Sequence, residues 1–388
     1  MTERLFYTNP KIYEWETEIT DVFQYNDFYY VTLKETAFYP GGGGQPADLG
    51  WIDSYKVVDC IKRDNEVYHV LKEKPEEKMV HCKIDQYRRI DHTQHHSGQH
   101  LLSAVCLNLF DVNTISFHLS HETATVDLDV SSLTQEQLHQ IEQTVNEHII
   151  ANHKVNVFYI NRDDAVHYNI RKIPKDIDRL RIVQIENVEY NACAGTHVQS
   201  TSEIGLLKLL KTEKIKGKIR LYFICGLRLL KDYNEKHQLV TELTKTLTTG
   251  QALLIHQVVK MKQDKNEKER KYVSLFNQYA ELLSKQLVKE QGKEKVFQIY
   301  QNHSIKELNI LSEKLIKNGV EFIVLATKEE NKLIISQNGN LAIHCGKMVK
   351  ELAGKLTGKG GGNENKAQCS FPNGQTLEQF FLYLKNTF

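Results

Sequence analysis

His96 and His100 stand four residues apart, and Cys193 and His197 repeat that interval. On a helix, residues i and i+4 project from one face about one turn apart. Two imidazole nitrogens so placed can reach one metal ion at about 2.0–2.1 Å. The first pair is weak by itself, because His92 and His95 crowd the same stretch and His92 with His96 offers the same interval. A histidine-rich helix is more often only a polar face, and a free cysteine is more often a small buried hydrophobe. The second pair lies on a run of small residues, Cys193-Ala-Gly-Thr-His197, behind a strand-like segment. Thiolate and imidazole together suit zinc, whose borderline softness accepts both. Two half-sites point to a single zinc ion per chain on His96, His100, Cys193 and His197.

Those residues need elements to carry them. Asp91 reads as the N-cap of a helix from His92 to Val105. Thr125–Asp129 reads as a strand. Thr134 with Gln137 forms a capping box before an amphipathic helix bearing Leu138, Ile141, Val145 and Ile149. Strands are expected at Val155–Ile160 and Val183–Tyr190, around a loop containing Pro174, and again near Ile204–Leu210 and Ile219–Ile224. Together these make an α+β core over 89–228. Ahead of it, residues 1–88 read as a β-rich, barrel-like domain, with strands at 28–33, 56–61 and 67–71. Within that domain Gly42, Gly43, Gly44 and Gln45 belong to a four-glycine stretch between two prolines. Such a loop can take positive φ or come close to a ligand.

Residues 229–300 contain no proline and read as a short helix, a turn at Thr248–Gly250 and one long helix. Leu254, Val258, Met261, Tyr272, Phe276, Tyr279, Leu283 and Leu287 form its stripe, which calls for another helix or a second subunit, as in a coiled coil. Residues 301–388 read as a small α/β unit. In it, Thr357–Lys366 is expected to be a flexible glycine loop carrying Lys359 and Lys366. The whole chain is thus α+β in four parts.

Fifty basic and 49 acidic side chains leave a net charge of +1, so a nucleic-acid partner has to rest on local patches. Lys208–Lys218 is one, with five lysines, Lys216 and Lys218 among them, against Glu213. No apolar run approaches the roughly 20 residues that span a bilayer, and the N-terminus lacks a signal peptide. Seven scattered cysteines argue against a disulfide framework and for the reducing cytoplasm.

His96-Ser-Gly-Gln-His100-Leu-Leu with Cys193-Ala-Gly-Thr-His197 resembles the editing domain of alanyl-tRNA synthetase and its freestanding relatives, the AlaX trans-editing proteins. Thr36-Ala-Phe-Tyr-Pro-Gly-Gly-Gly-Gly-Gln-Pro-Ala-Asp48 resembles their glycine motif, and Thr201–Gly226 the end of their editing core. The helical stretch and the Gly358–Gly362 loop look like the long AlaX form, which ends in a DHH-associated domain. Ala194 departs from the glycine usual there, a small change that should leave the turn intact. The synthetase's charging core has no counterpart ahead of the β-rich domain.

The resemblance implies hydrolysis of tRNA(Ala) wrongly charged with serine, and with glycine, at a zinc-containing site. A pocket fitted to alanine rejects serine poorly, so a second site that hydrogen-bonds the serine hydroxyl reverses the preference. By resemblance Thr36 supplies that hydrogen bond. Gln99 and His95, beside the ligands, are candidates to position water. Lys216, Lys218, Lys359 and Lys366 are expected on tRNA phosphates, and a homodimer is expected through the helical and C-terminal regions. The competing reading is a non-catalytic, zinc-stabilised tRNA-binding protein, for which four full ligands would suffice. A phosphoesterase of the DHH type is disfavoured, since Asp91-His-Thr93 is not Asp-His-His and its aspartate clusters are missing.

Overall fold

The structure is a computed structural model describing residues 2–168, 170, 173 and 178–388. Pro174 and its loop therefore lie outside the described residues. The chain divides into two compact units, Met1–Glu242 and Leu243–Phe388.

The first unit opens with a closed barrel. Its strands are β1 (Glu14–Tyr25), β2 (Phe28–Leu33), β3 (Gly50–Ile52), β4 (Tyr55–Arg63), β5 (Glu66–Leu71) and β6 (Met79–Ile84), in the order β1-β2-β5-β4-β3-β6. β6 shows why the segment folds this way, since Val80, Cys82 and Ile84 are buried while Met79, His81 and Lys83 face solvent. That alternation is what a sheet with one wet face requires. Asp64 and Asn65, both at positive φ, form the tight β4–β5 turn, as hairpins with primed turns demand. The barrel is filled by Val31, Leu33, Phe38, Ile52, Val57 and Leu71.

Next comes α1 (Gln86–Phe110), on which the rest of the unit is assembled. Its N-cap is Asp85, whose carboxylate accepts from Arg88 N at 3.1 Å, rather than Asp91. Asp91 lies inside the helix because its carboxylate is taken by Arg228, at 2.7 and 2.6 Å, and is not available to cap a terminus. From His95 to Cys106 every residue is buried, so this helix is enclosed on all sides.

One flank of α1 is covered by a four-stranded antiparallel sheet of β7 (Thr114–Leu119), β8 (Ala124–Leu128), β12 (Leu207–Ile215) and β13 (Lys218–Cys225), in the order β12-β13-β8-β7. Helix α2 (Gln135–Ile150) buries Ile141, Val145 and Ile149 in the same core and carries the expected Thr134/Gln137 capping box. A smaller sheet runs β9 (Val155–Asn161), β10 (Arg179–Ile185), β11 (Glu189–Ala192). The single strand expected over 183–190 is in fact this β10–β11 hairpin. Asn187, at φ 61°, reverses the chain there, a conformation asparagine tolerates better than most residues.

Helix α3 (Gly226–Thr246) follows, and α4 (Leu254–Gln291) is the long helix. In the second unit, α4 buries Phe276, Ala280, Ser284 and Leu287. The unit's mixed sheet has the order β14-β15-β16-β18-β17, from β14 (Lys295–Tyr300), β15 (Phe322–Thr327), β16 (Lys332–Gln337), β17 (Lys359–Gly362) and β18 (Lys366–Ser370). Only β14 and β15 are parallel, joined through α5 (Ile305–Lys317). Helix α6 (Cys345–Leu352) lies against this sheet, and α7 (Gly374–Thr387) is the last helix.

The glycine stretch near residue 360 is not a flexible loop. It is the edge strand β17, paired with β18. A Cβ on Gly360 would lie 2.3 Å from Gln368 O and one on Gly362 2.2 Å from Lys366 O, so the glycines serve close packing. Among the described residues no helix is long and apolar enough to cross a membrane.

Candidate metal centre

Helix α1 presents His96 and His100 on one face, and the turn after β11 brings Cys193 and His197 against it. One ligand atom from each residue can be chosen so that all four lie within 4.8 Å of one another. Cys193 Sγ is 3.4 Å from His96 Nε2 and 3.3 Å from His197 Nε2. Tetrahedral zinc with nitrogen and sulfur at about 2.0–2.3 Å has ligand–ligand edges of roughly 3.5 Å, so the donors fit such an ion. His92, the competing ligand, is left out. It is buried with Nδ1 unpartnered, and burial drops its pKa to about 3.

What identifies the cluster is the opposite edge of each imidazole. His96 Nδ1 is 2.7 Å from Gln45 Oε1. That oxygen also accepts from Thr196 N, while Gln45 Nε2 donates to Thr196 Oγ1, which fixes the amide's orientation. His96 therefore carries its proton on Nδ1 and turns the Nε2 lone pair to the sulfur. His100 Nδ1 faces Glu189 Oε1 at 3.1 Å, and His197 Nδ1 faces Ser97 Oγ at 3.2 Å. Ser97 Oγ in turn accepts from Val198 N. Metal-binding histidines are held in this manner, the outer nitrogen tied to an oxygen and the inner one free.

The local sequence explains how these groups meet. Gly41–Gly44 all have positive φ, and Gly42 and Gln45 exchange backbone hydrogen bonds, a reversal that drives Gln45 inward until it is 2% exposed. The loop is docked by Gly44 O, which accepts from Leu119 N of β7. A buried ion pair, Arg89 with Asp48, ties it to α1, and Asp48 also accepts from Tyr39 N at 2.7 Å. Gly195 admits no side chain, since a Cβ there would lie 2.0 Å from His96 Cε1. Ala194, the departure from the family pattern, is exposed, and the turn accommodates it.

Charge follows from this geometry. Burial raises the Cys193 thiol's pKa, but His96, His197 and His100 outweigh it and hold the group well below the ordinary thiol range. Burial opposes protonation of His100, yet Cys193 and Glu189 lift it to about 9. His197 is pushed down to about 3, chiefly by burial. The group is thus a Cys193 thiolate beside a protonated His100 and a neutral His197, and a metal ion binding there would displace the His100 proton.

The other expected site residues Thr36, His95 and Gln99 have hydrogen-bond partners outside the four-residue cluster. Thr36 is fully buried in the barrel, with Oγ1 2.8 Å from His69 Nε2. His69 Nδ1 must donate to Val31 O at 2.9 Å, so Nε2 accepts, and the threonine's one proton is spent there. His95 is occupied at both nitrogens, Nδ1 at Asp91 O and Nε2 accepting from Cys225 N. Gln99 donates to Ser103 Oγ, itself bonded by Thr114. Lys216 sits in the β12–β13 turn and Lys218 is 3.8 Å from Asp129. In the second unit Lys359 is exposed on β17, and Lys366 is 3.4 Å from Glu313.

Sequence reasoning did not find Ser97, Glu189, Thr196 or Arg181. Arg181 donates through Nη1 to Cys193 O at 2.7 Å and Gly195 O at 3.0 Å, bracing the ligand turn. Its signal was the alternation of charged and apolar residues in Arg179-Leu-Arg-Ile182.

Similarity to known proteins places the chain in a class of tRNA-editing proteins. Residues 180–222 match the threonyl and alanyl tRNA synthetase second additional domain, and residues 293–388 match the DHHA1 domain. Alanyl-tRNA editing protein AlaX-L of Pyrococcus horikoshii is 30% identical over 95% of this chain and 94% of its own. Alanyl-tRNA editing protein Aarsd1 of Danio rerio is 31% identical over 87% of this chain and 84% of its own. The chain belongs to the alanyl-tRNA editing protein family, in its long AlaX form. It is also 29% identical to the alanine–tRNA ligase of Ignicoccus hospitalis, over 94% of this chain and 41% of the ligase.

Proposed function

We propose that the protein is a trans-editing hydrolase that deacylates Ser-tRNA(Ala), with Gly-tRNA(Ala) as a second mischarged substrate, at a site holding one zinc ion. The observation that carries the metal is the convergence of three imidazoles, each tied at Nδ1, on the Cys193 thiolate. When bound, zinc would supply Lewis acidity toward the ester carbonyl, or a bound water with its pKa lowered to about 7. The chain's own part is to hold Cys193 as a thiolate and to aim the three imidazoles through Gln45, Ser97 and Glu189, with His100 giving up its proton to the ion. Thr36 donates its proton to His69 and so is left to meet the serine hydroxyl as an acceptor.

The enclosure of four ligands favours a second reading, because a full tetrahedral set is the mark of a structural zinc. In that reading the ion only shapes a tRNA-binding surface. The seven cysteines, all free, support a reducing cytoplasmic setting. Ile255, Val258, Leu275 and Leu282, exposed on the long helix, support pairing with a second copy. Sedimentation equilibrium checks that pairing.

The deciding assay gives purified protein Ser-tRNA(Ala), Gly-tRNA(Ala) and Ala-tRNA(Ala). The serine ester should disappear fastest and the alanine ester slowest. No loss of Ser-tRNA(Ala) beyond a buffer control would overturn the reading, and tight tRNA binding alongside that result would favour the second. Elemental analysis should find one zinc per chain, and Cys193→Ala should lose most of it.

A further inference from the structure

Arg181 is more than a brace. Its Nη1 serves Cys193 O and Gly195 O, and its guanidinium lies over the Tyr7 ring at 4.9 Å. No carboxylate pairs with it among the described residues, and Nε is buried without an acceptor. The Cys193 thiolate lends this largely buried cation some charge balance, yet Nε keeps no acceptor, a cost that an arriving anion would relieve. The Nε–Nη2 edge is also the one shaped for two oxygens of a phosphate.

The strand that carries Arg181 repeats the device. Arg179 is two residues away on β10, on the same face, while Leu180 and Ile182 are buried on the other. Arg179 stacks on the Tyr159 ring at 5.0 Å, and Tyr159 is the cross-strand partner of Arg181. Residues i and i+2 of an extended strand stand about 6.6–6.8 Å apart along the backbone, the order of spacing between successive phosphates in single-stranded RNA. Arginines backed by aromatic rings are a common surface for such a strand. One end of this row touches the turn bearing the metal ligands, and the other is open to solvent.

We propose that the face of β10 bearing Arg181 and Arg179 binds the single-stranded 3′ end of the tRNA. Arg181 takes the phosphate on the 5′ side of the terminal adenosine, and Arg179 takes the next phosphate out. The inference rests on the deacylation reading, since it gives the ester at the metal centre a direction of approach.

Four small substrates test it on the full-length, zinc-loaded protein. They are 3′-O-seryl-adenosine, its 5′-phosphate, 3′-O-seryl-CpA and the same dinucleotide with a 5′-phosphate. In the wild-type protein the adenosine 5′-phosphate should raise kcat/KM roughly 10- to 100-fold, the yield of one or two charge-assisted hydrogen bonds. Arg181→Gln should bring that ratio close to one. Arg179→Gln should keep it but abolish the gain from adding the 5′-phosphate to CpA. Equilibrium dialysis of wild-type protein should likewise show 5′-AMP binding more tightly than adenosine. Equal rates on seryl-adenosine and its 5′-phosphate in the wild-type protein would overturn the proposal, whatever the variants do. So would an equal loss on both in Arg181→Gln, which would place the guanidinium on the ester. If the deacylation reading itself is wrong, the wild-type protein hydrolyses none of the four.

Discussion

Gln45 reaches His96 across 51 residues of chain and leaves that imidazole with one tautomer. Without it Nδ1 would have no acceptor, and the proton would be free to sit on the nitrogen that faces Cys193. Gln45→Ala should therefore weaken zinc binding by about 10–100-fold, the usual effect of removing an outer-shell partner, with the ligands untouched. Chelator competition measures it, and an unchanged zinc affinity would show that the tautomer is held by something else. His69 carries the other residue-scale prediction. Burial drops its pKa to about 4, below the ordinary 6.5. The unfolded chain thus takes up a proton that the folded chain refuses, so this contribution is intact above pH 6.5 and is lost as pH falls toward 4. The loss is roughly 3 kcal/mol. His69→Gln should flatten the denaturant midpoint between pH 6.5 and 4, and an identical slope in both proteins would refute the assignment.

At the scale of elements, sequence and structure agree where the physics is local and part where it is not. The i, i+4 spacing of His96 and His100 is a property of one helix, and the Thr134/Gln137 capping box a property of four residues, so both were legible. The break between two helices around Thr248–Gly250 was legible for the same reason. Asp91 misled because a carboxylate near a helical run looks like a cap, and nothing nearby announces Arg228. Glu189 and Ser97 were invisible because their function depends on a histidine brought from elsewhere. The β17 glycines misled most, since freedom and close packing leave the same letters in the sequence. A substitution separates the two. Gly360→Ala puts a Cβ 2.3 Å from Gln368 O, whereas at Gly361 nothing lies within 4 Å. Overpacking of this kind costs about 1–3 kcal/mol, so Gly360→Ala should lower the Tm of the second unit by several degrees and Gly361→Ala by little. Differential scanning calorimetry decides it, and equal melting of the two variants would restore the loop.

For the whole molecule, the partition of chemistry between the two units matters more than their number. Every ligand, and every group that orients a ligand, lies before residue 243: Gln45, Thr196, Ser97 and Glu189 no less than the four donors. The second unit has its own core, from Phe322 and Leu333 to Phe380 and Leu384. Among the described residues, the named partners of the four donors all come from the first unit. A fragment ending at Glu242 should therefore fold, bind one zinc per chain with wild-type affinity, and hydrolyse seryl-adenosine with an unchanged kcat. The same fragment should differ on full-length tRNA if the second unit supplies phosphate contacts through residues such as Lys359. There KM should rise, with kcat held, and the salt dependence of KM should become shallower, since fewer counterions are released on binding. A fragment that binds zinc fully but loses kcat on the small ester would mean that the second unit takes part in the chemistry. That result would require a group from beyond residue 242 at the scissile bond.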